Sequence, residues 1–82
     1  MSTPLYCPNP NCGRRCGTAT LRDDGDQVDV STMARRGEIV AARRLSEAGW
    51  PVTFTCSECR RPVRLDRDLA ARVGRAKRLV LR

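Results

Sequence analysis

The sequence predicts an α+β domain: a small antiparallel sheet stapled at two cysteine-bearing turns, with one helix inserted between the turns and an amphipathic helix after them. Three observations predict it. Two cysteine pairs lie far apart, at Cys7/Cys12 and at Cys56/Cys59. Short segments beside them alternate apolar and polar residues with the period of a strand. Two longer segments carry apolar residues at helical spacing. The reading is of one domain: residues 1–30 hold the first turn and a hairpin, 31–49 a helix, 50–65 the second turn and its strands, and 66–82 the last helix.

A chain of 82 residues with one Trp, one Tyr and one Phe can build only a thin core. Domains of this size commonly need a staple. Two thiolates separated by a tight turn can grip one tetrahedral ion and leave two positions for a second such turn. Cys56-Ser57-Glu58-Cys59 is one turn, and Cys7-Pro8-Asn9-Pro10-Asn11-Cys12-Gly13 is the other. Pro8 fixes the backbone on entry, and Gly13 frees it to point amides at the sulfurs. Cys16 offers an alternative, because Cys12-Gly13-Arg14-Arg15-Cys16 also reads as a metal-binding turn, with Cys7 then spare. A set of buried or disulfide-forming cysteines with no metal is the plainer account. Five cysteines leave one over from any full pairing, and residues 1–6 are too short and too polar for a secretory segment, so a reducing cytoplasm is expected and metal is favoured over disulfides.

The two turns, or knuckles, resemble those of a zinc ribbon. The resemblance covers the knuckles and the strands beside them. It implies one structural Zn²⁺ per chain, held by Cys7, Cys12, Cys56 and Cys59, and a partner that is either nucleic acid or a protein of the transcription or translation machinery. The first pair is spaced by four residues where most ribbons have two, and the gap between the pairs is longer than a minimal ribbon needs. Iron also accepts four thiolates, but two separated knuckles on a small basic protein favour zinc.

After the first knuckle, residues 18–22 and 27–30 read as strands. Asp23-Asp24-Gly25-Asp26 between them is a turn, and Val28 and Val30 face inward. The acidic spacing lacks the glycine and terminal Glu of a calcium loop, so a solvated turn is the reading. Ser31 or Thr32 can cap a helix that puts Met33, Val40, Ala41, Leu45 and Ala48 on its core side and ends at Gly49. A helix-turn-helix around Gly37 is set aside, because its first helix would be barely one turn. Residues 52–55 and 61–65 are strands leading into and out of the second knuckle, with Pro62 at a sheet edge. With the first hairpin they would form one sheet of three or four strands, and Trp50 and Phe54 would be buried against the helices. From Asp66 onward, Leu65, Leu69, Val73, Ala76 and Val80 share one helical face, with Arg67, Arg75, Arg78 and Arg82 roughly opposite.

Charge and chemistry bound the function. The chain has no histidine, no Gly-rich phosphate loop and no nucleophile elbow, and a four-thiolate zinc has no open position for water. It is therefore not expected to be an enzyme, and neither a small-molecule substrate nor a membrane is expected. The formal charge of +7 becomes about +5 once four thiolates hold one Zn²⁺. Residues 1–22 carry +3, 23–34 carry −4 and 35–82 carry +8, so basicity concentrates in the second half. Fifteen of the sixteen basic residues are Arg, the side chain suited to bidentate phosphate contacts, although a GC-rich genome produces the same bias. The expected interface is an arginine face of Arg64, Arg67, Arg75, Arg78 and Arg82 that binds nucleic acid, in transcription or its regulation; the alternative is an adaptor that binds a protein.

Overall fold

The structure, a computed structural model, describes residues 1–22 and 25–82. Asp23 and Asp24, part of the expected turn, lie outside the described residues. Strand β1 (Ser2–Tyr6) pairs antiparallel with β2 (Arg15–Leu21), which pairs with β3 (Gln27–Thr32), and β3 pairs with β4 (Glu38–Arg44). A separate hairpin follows, β5 (Val52–Thr55) on β6 (Pro62–Leu65). Helix α1 (Arg67–Ala70) and strand β7 (Leu79–Val80) complete the chain, with β7 parallel to β1. The first sheet has the order β4-β3-β2-β1-β7, and β5-β6 is a second sheet.

The strands expected beside the knuckles form. Their alternation is the cause: Val28 and Val30 on β3 and Val63 and Leu65 on β6 point inward and are buried, and the unexpected β1 does the same with Thr3 and Leu5. The two hairpins do not merge into a single three- or four-stranded sheet. Instead β5 packs across β2 through Phe54, whose ring lies 3.4 Å from where a Cβ on Gly17 would stand.

The α+β class is overturned, because the fold is mostly strand and the one helix among the described residues has four residues. The inserted helix over 31–49 does not form. Arg36 and Gly37 take left-handed backbone, at φ 42° and 88°, and turn the chain so that Glu38–Arg44 lies along β3. This stretch holds the β-branched pair Ile39-Val40, and the outer edge of β3 offers unpaired backbone groups. Sheet pairing outweighs helix propensities of a few tenths of a kcal/mol per residue. Met33 and Val40, expected in the core, are 46% and 42% exposed.

The C-terminal amphipathic helix fails for a different reason. Its start is as expected, with Asp66 as the cap accepting from the Leu69 amide at 2.9 Å. Beyond Ala70 the buried Thr3 intervenes. Its hydroxyl accepts from the Gly74 amide at 2.8 Å and donates to the Ala76 carbonyl at 3.4 Å. Gly74 sits at φ 84°, the chain turns on through Lys77, and from Arg78 it runs extended with Leu79 and Leu81 buried and Val80 54% exposed. That inverts the expected role of Val80. Trp50 and Phe54 are half-buried, so the interior rests on Leu and Val; the Trp50 indole donates to the Arg44 carbonyl at 3.3 Å.

The contact between β2 and its neighbours leaves no room at Gly17, where a Cβ would lie 2.5 Å from the Ser31 carbonyl oxygen. Gly17→Ala is expected to destabilise the metal-loaded protein by about 1–3 kcal/mol, read from its denaturant midpoint. An unchanged midpoint would show that β2 and β3 are not packed as described.

Candidate metal centre

Each hairpin loop is closed in the same way. The Cys7 amide, just past β1, donates to the Arg14 carbonyl at 2.9 Å, and the Cys56 amide, just past β5, donates to the Arg61 carbonyl at 3.0 Å. In the longer first loop the amides of Cys12 and Gly13 both donate to the Asn9 carbonyl at 3.0 Å, and the Asn11 amide donates to the Asn9 side chain at 3.1 Å. In the second, the Arg60 amide donates to the Cys56 carbonyl at 2.9 Å. The residue after the second cysteine is left-handed in both, Gly13 at φ 59° and Arg60 at φ 60°. This bend aims the next amide, of Arg14 or Arg61, at the sulfur of Cys12 or Cys59.

These loops bring Cys7, Cys12, Cys56 and Cys59 together, with all four sulfurs within 4.8 Å of one another. Cys7 and Cys59 are 3.5 Å apart and Cys12 and Cys56 are 3.9 Å apart. A tetrahedral site with metal–sulfur bonds of about 2.3 Å requires sulfurs about 3.8 Å apart, so the cluster is compatible with zinc. Cys16 is left out. It is fully buried on β2 and its thiol donates to the Leu5 carbonyl at 3.5 Å, with burial first and the Cys56 charge second pushing it up to about 12.

The thiols differ in readiness. Burial pushes Cys7 up to about 12 against the pull of the Asn9 amide. At Cys12 the Arg14 amide lowers the thiol, but burial and the Cys56 sulfur outweigh it and the net direction is upward. At Cys59 the Arg61 amide overcomes burial and brings the thiol down to about 7. Cys59 is therefore the thiolate available first near neutrality.

The expected arginines fall into two groups. Arg67 begins α1, and Arg75 lies in the turns between α1 and β7, both exposed. Arg64 and Arg82 are neighbours, since each donates its backbone amide to the other's carbonyl, at 2.8 and 3.0 Å, which puts both side chains on one face. Thr53 is the partner of Arg64 on β5, and a groove of about 250 Å³ is lined by Thr53, Pro62, Val63, Arg64 and Arg82. Val80 and its β1 partner Tyr6 continue this outer face, and the Arg78 guanidinium stands over the Tyr6 ring at 5.9 Å. The sequence reading missed Tyr6 and Thr53. Alternation outward from the buried Leu5 was the available signal for Tyr6.

Comparison with known proteins found no matching family model, no similar curated protein and no similar solved structure. The zinc-ribbon resemblance thus has no family match behind it, and the four-cysteine cluster is what the geometry supports. No helix among the described residues is long and apolar enough to cross a membrane.

Cys7 and Cys12 lie above the ordinary thiol value, so the protonated fold gains from them below that value and loses the gain as pH rises. A metal must displace both protons. Affinity for a thiophilic divalent ion is expected to fall at least about a hundredfold for each unit that pH drops through the neutral range, measured by competition with a chelating dye. A pH-independent affinity would mean that these thiols are not ligands. Cys16→Ala should cost about 1 kcal/mol and leave the metal stoichiometry at its wild-type value.

Proposed function

We propose that the protein is a small zinc-binding, non-catalytic protein that binds nucleic acid through an arginine-bearing sheet face, in transcription or its regulation. Four thiolates would hold one Zn²⁺ and leave no position for an activated water, so the ion is structural. Its contribution of about 10 kcal/mol is comparable with the whole stability of a small domain. The observation that supports the nucleic-acid reading is the outer face on which Arg64, Arg78 and Arg82 stand beside Tyr6 and the groove. Arg82 is held by Asp66 at 2.8 Å, and among the described residues neither Arg64 nor Arg78 has a carboxylate partner. Free guanidiniums on an open face suit phosphate oxygens. The interface is thus built across strands, and the helical stripe that also included Arg67 and Arg75 is abandoned.

A second reading, the protein-binding adaptor, is favoured by β4. Ile39 and Val40 are 55% and 42% exposed on this edge strand, with Met33 nearby at 46%. An extended partner segment could add to that edge. Asp26 and Asp29 would also be repelled by phosphate.

Two measurements test the proposal. Chelation of the zinc-loaded protein is expected to abolish its cooperative unfolding transition, and Cys56→Ser to do the same. Retention of the transition in the metal-free, reduced protein would overturn the structural role. Three phosphate contacts predict a log–log salt slope of about −2 to −3, and Arg64→Ala or Arg78→Ala should make it shallower by about one. Absence of nucleic-acid binding even at low salt would leave the adaptor, and Ile39→Glu would then be the variant that loses the partner.

A further inference from the structure

We infer that the outer face reads single-stranded nucleic acid, by stacking a base on the Arg78–Tyr6 pair and seating a neighbouring base in the groove beside Arg64. The inference rests on the nucleic-acid reading above and goes further, because it names the form of nucleic acid and the groups that select it. The face is continuous across the two sheets. Tyr6 and Val80 are register partners, Val80 and Arg82 point the same way along the chain, and Arg82, Arg64 and Thr53 follow side by side. With strands about 4.8 Å apart, the row from Thr53 to Arg82 spans about 10 Å.

Three features favour a single strand over a duplex. The groove has an aliphatic wall from Pro62, a floor at the Val63 backbone and a polar rim from Thr53 and the two guanidiniums, which suits a base with its apolar faces and polar edges. A base in a duplex has both faces covered by its neighbours and cannot enter; a splayed base can. The Tyr6 ring with Arg78 at 5.9 Å forms a platform whose outer side is a guanidinium, a surface on which any base stacks whatever its sequence. Finally, the described residues include no helix long enough to lie in a major groove, since α1 has four residues. A duplex would meet only the arginines and leave Tyr6 and the groove unused.

The experiment uses the full zinc-loaded chain and fluorescence anisotropy at low salt, with labelled oligothymidylate of about twelve nucleotides and a duplex of the same length as probes. The single strand is expected to bind at least about tenfold more tightly. Tyr6→Leu, which keeps the apolar bulk and removes the ring, should weaken single-strand binding by roughly 5- to 100-fold and leave duplex binding within about twofold, whereas Tyr6→Phe should bind as wild type. Arg78 is exposed, so Arg78→Lys should fold normally and, having lost its planar group, weaken the single strand in the same direction. Zinc content and thermal midpoint, measured on each variant, show that the fold is intact. Duplex binding as tight as single-strand binding, or single-strand binding untouched by both Tyr6→Leu and Arg78→Lys, overturns this inference while leaving the nucleic-acid reading in place. No binding of either probe overturns both.

Discussion

Two hairpin loops from different sheets converge on one point, where the sulfurs of Cys7, Cys12, Cys56 and Cys59 stand within 4.8 Å of one another. Four thiols so placed are stable as neighbours only if protons or a metal offset their mutual repulsion as thiolates. Beyond the core that Leu5, Ala19, Val28 and Val30 share with Val52, Val63 and Leu65, what joins the sheets is slight. Phe54 lies over Gly17, Arg64 and Arg82 exchange two backbone bonds, and Arg14 approaches Glu58 across the loops at 3.8 Å in an exposed pair of little energetic weight. The interior is made of Leu, Val and Ala with no fully buried aromatic ring. That shared core and the four cysteines together set the relative placement of the sheets.

The loops repeat one solution with different residues. Gly13 adopts its left-handed backbone at no steric cost, whereas Arg60 does so at roughly 1 kcal/mol. The gain is a sulfur that accepts an amide hydrogen bond, and at Cys59 this lowers the thiol enough to ionise near neutrality. Backbone geometry, more than side-chain charge, tunes these sulfurs.

What could be read from the sequence followed local rules. The knuckle cysteines carry their spacing and their flanking Pro8 and Gly13, and the strands beside them alternate, so β2, β3, β5, β6 and a helix start near Asp66 were legible. The two helices were misread because helical spacing over a dozen residues is easily met by chance in a chain rich in Ala, Arg and Val. The decisive partners were remote: the edge of β3 for residues 38–44, and the Thr3 hydroxyl for Gly74 and Ala76. The arginine face was misplaced by the same error, since Arg64 and Arg82 become neighbours only when the last residues run extended beside β6.

The parallel pairing of β1 with β7 joins Leu5 to Leu79 and so spans almost the whole described chain. On a ribosome β1 emerges first and β7 last, and such distant contacts are slow to close. Cys7 and Cys59 both precede β7 in the chain, so the four sulfurs can gather before β7 docks on β1. A metal held by these loops would then clamp the hairpins while the outer edge of β1 waits for its partner. Chain order thus separates the gathering of the four sulfurs from the moment at which Arg82 reaches Arg64 and the outer face is complete.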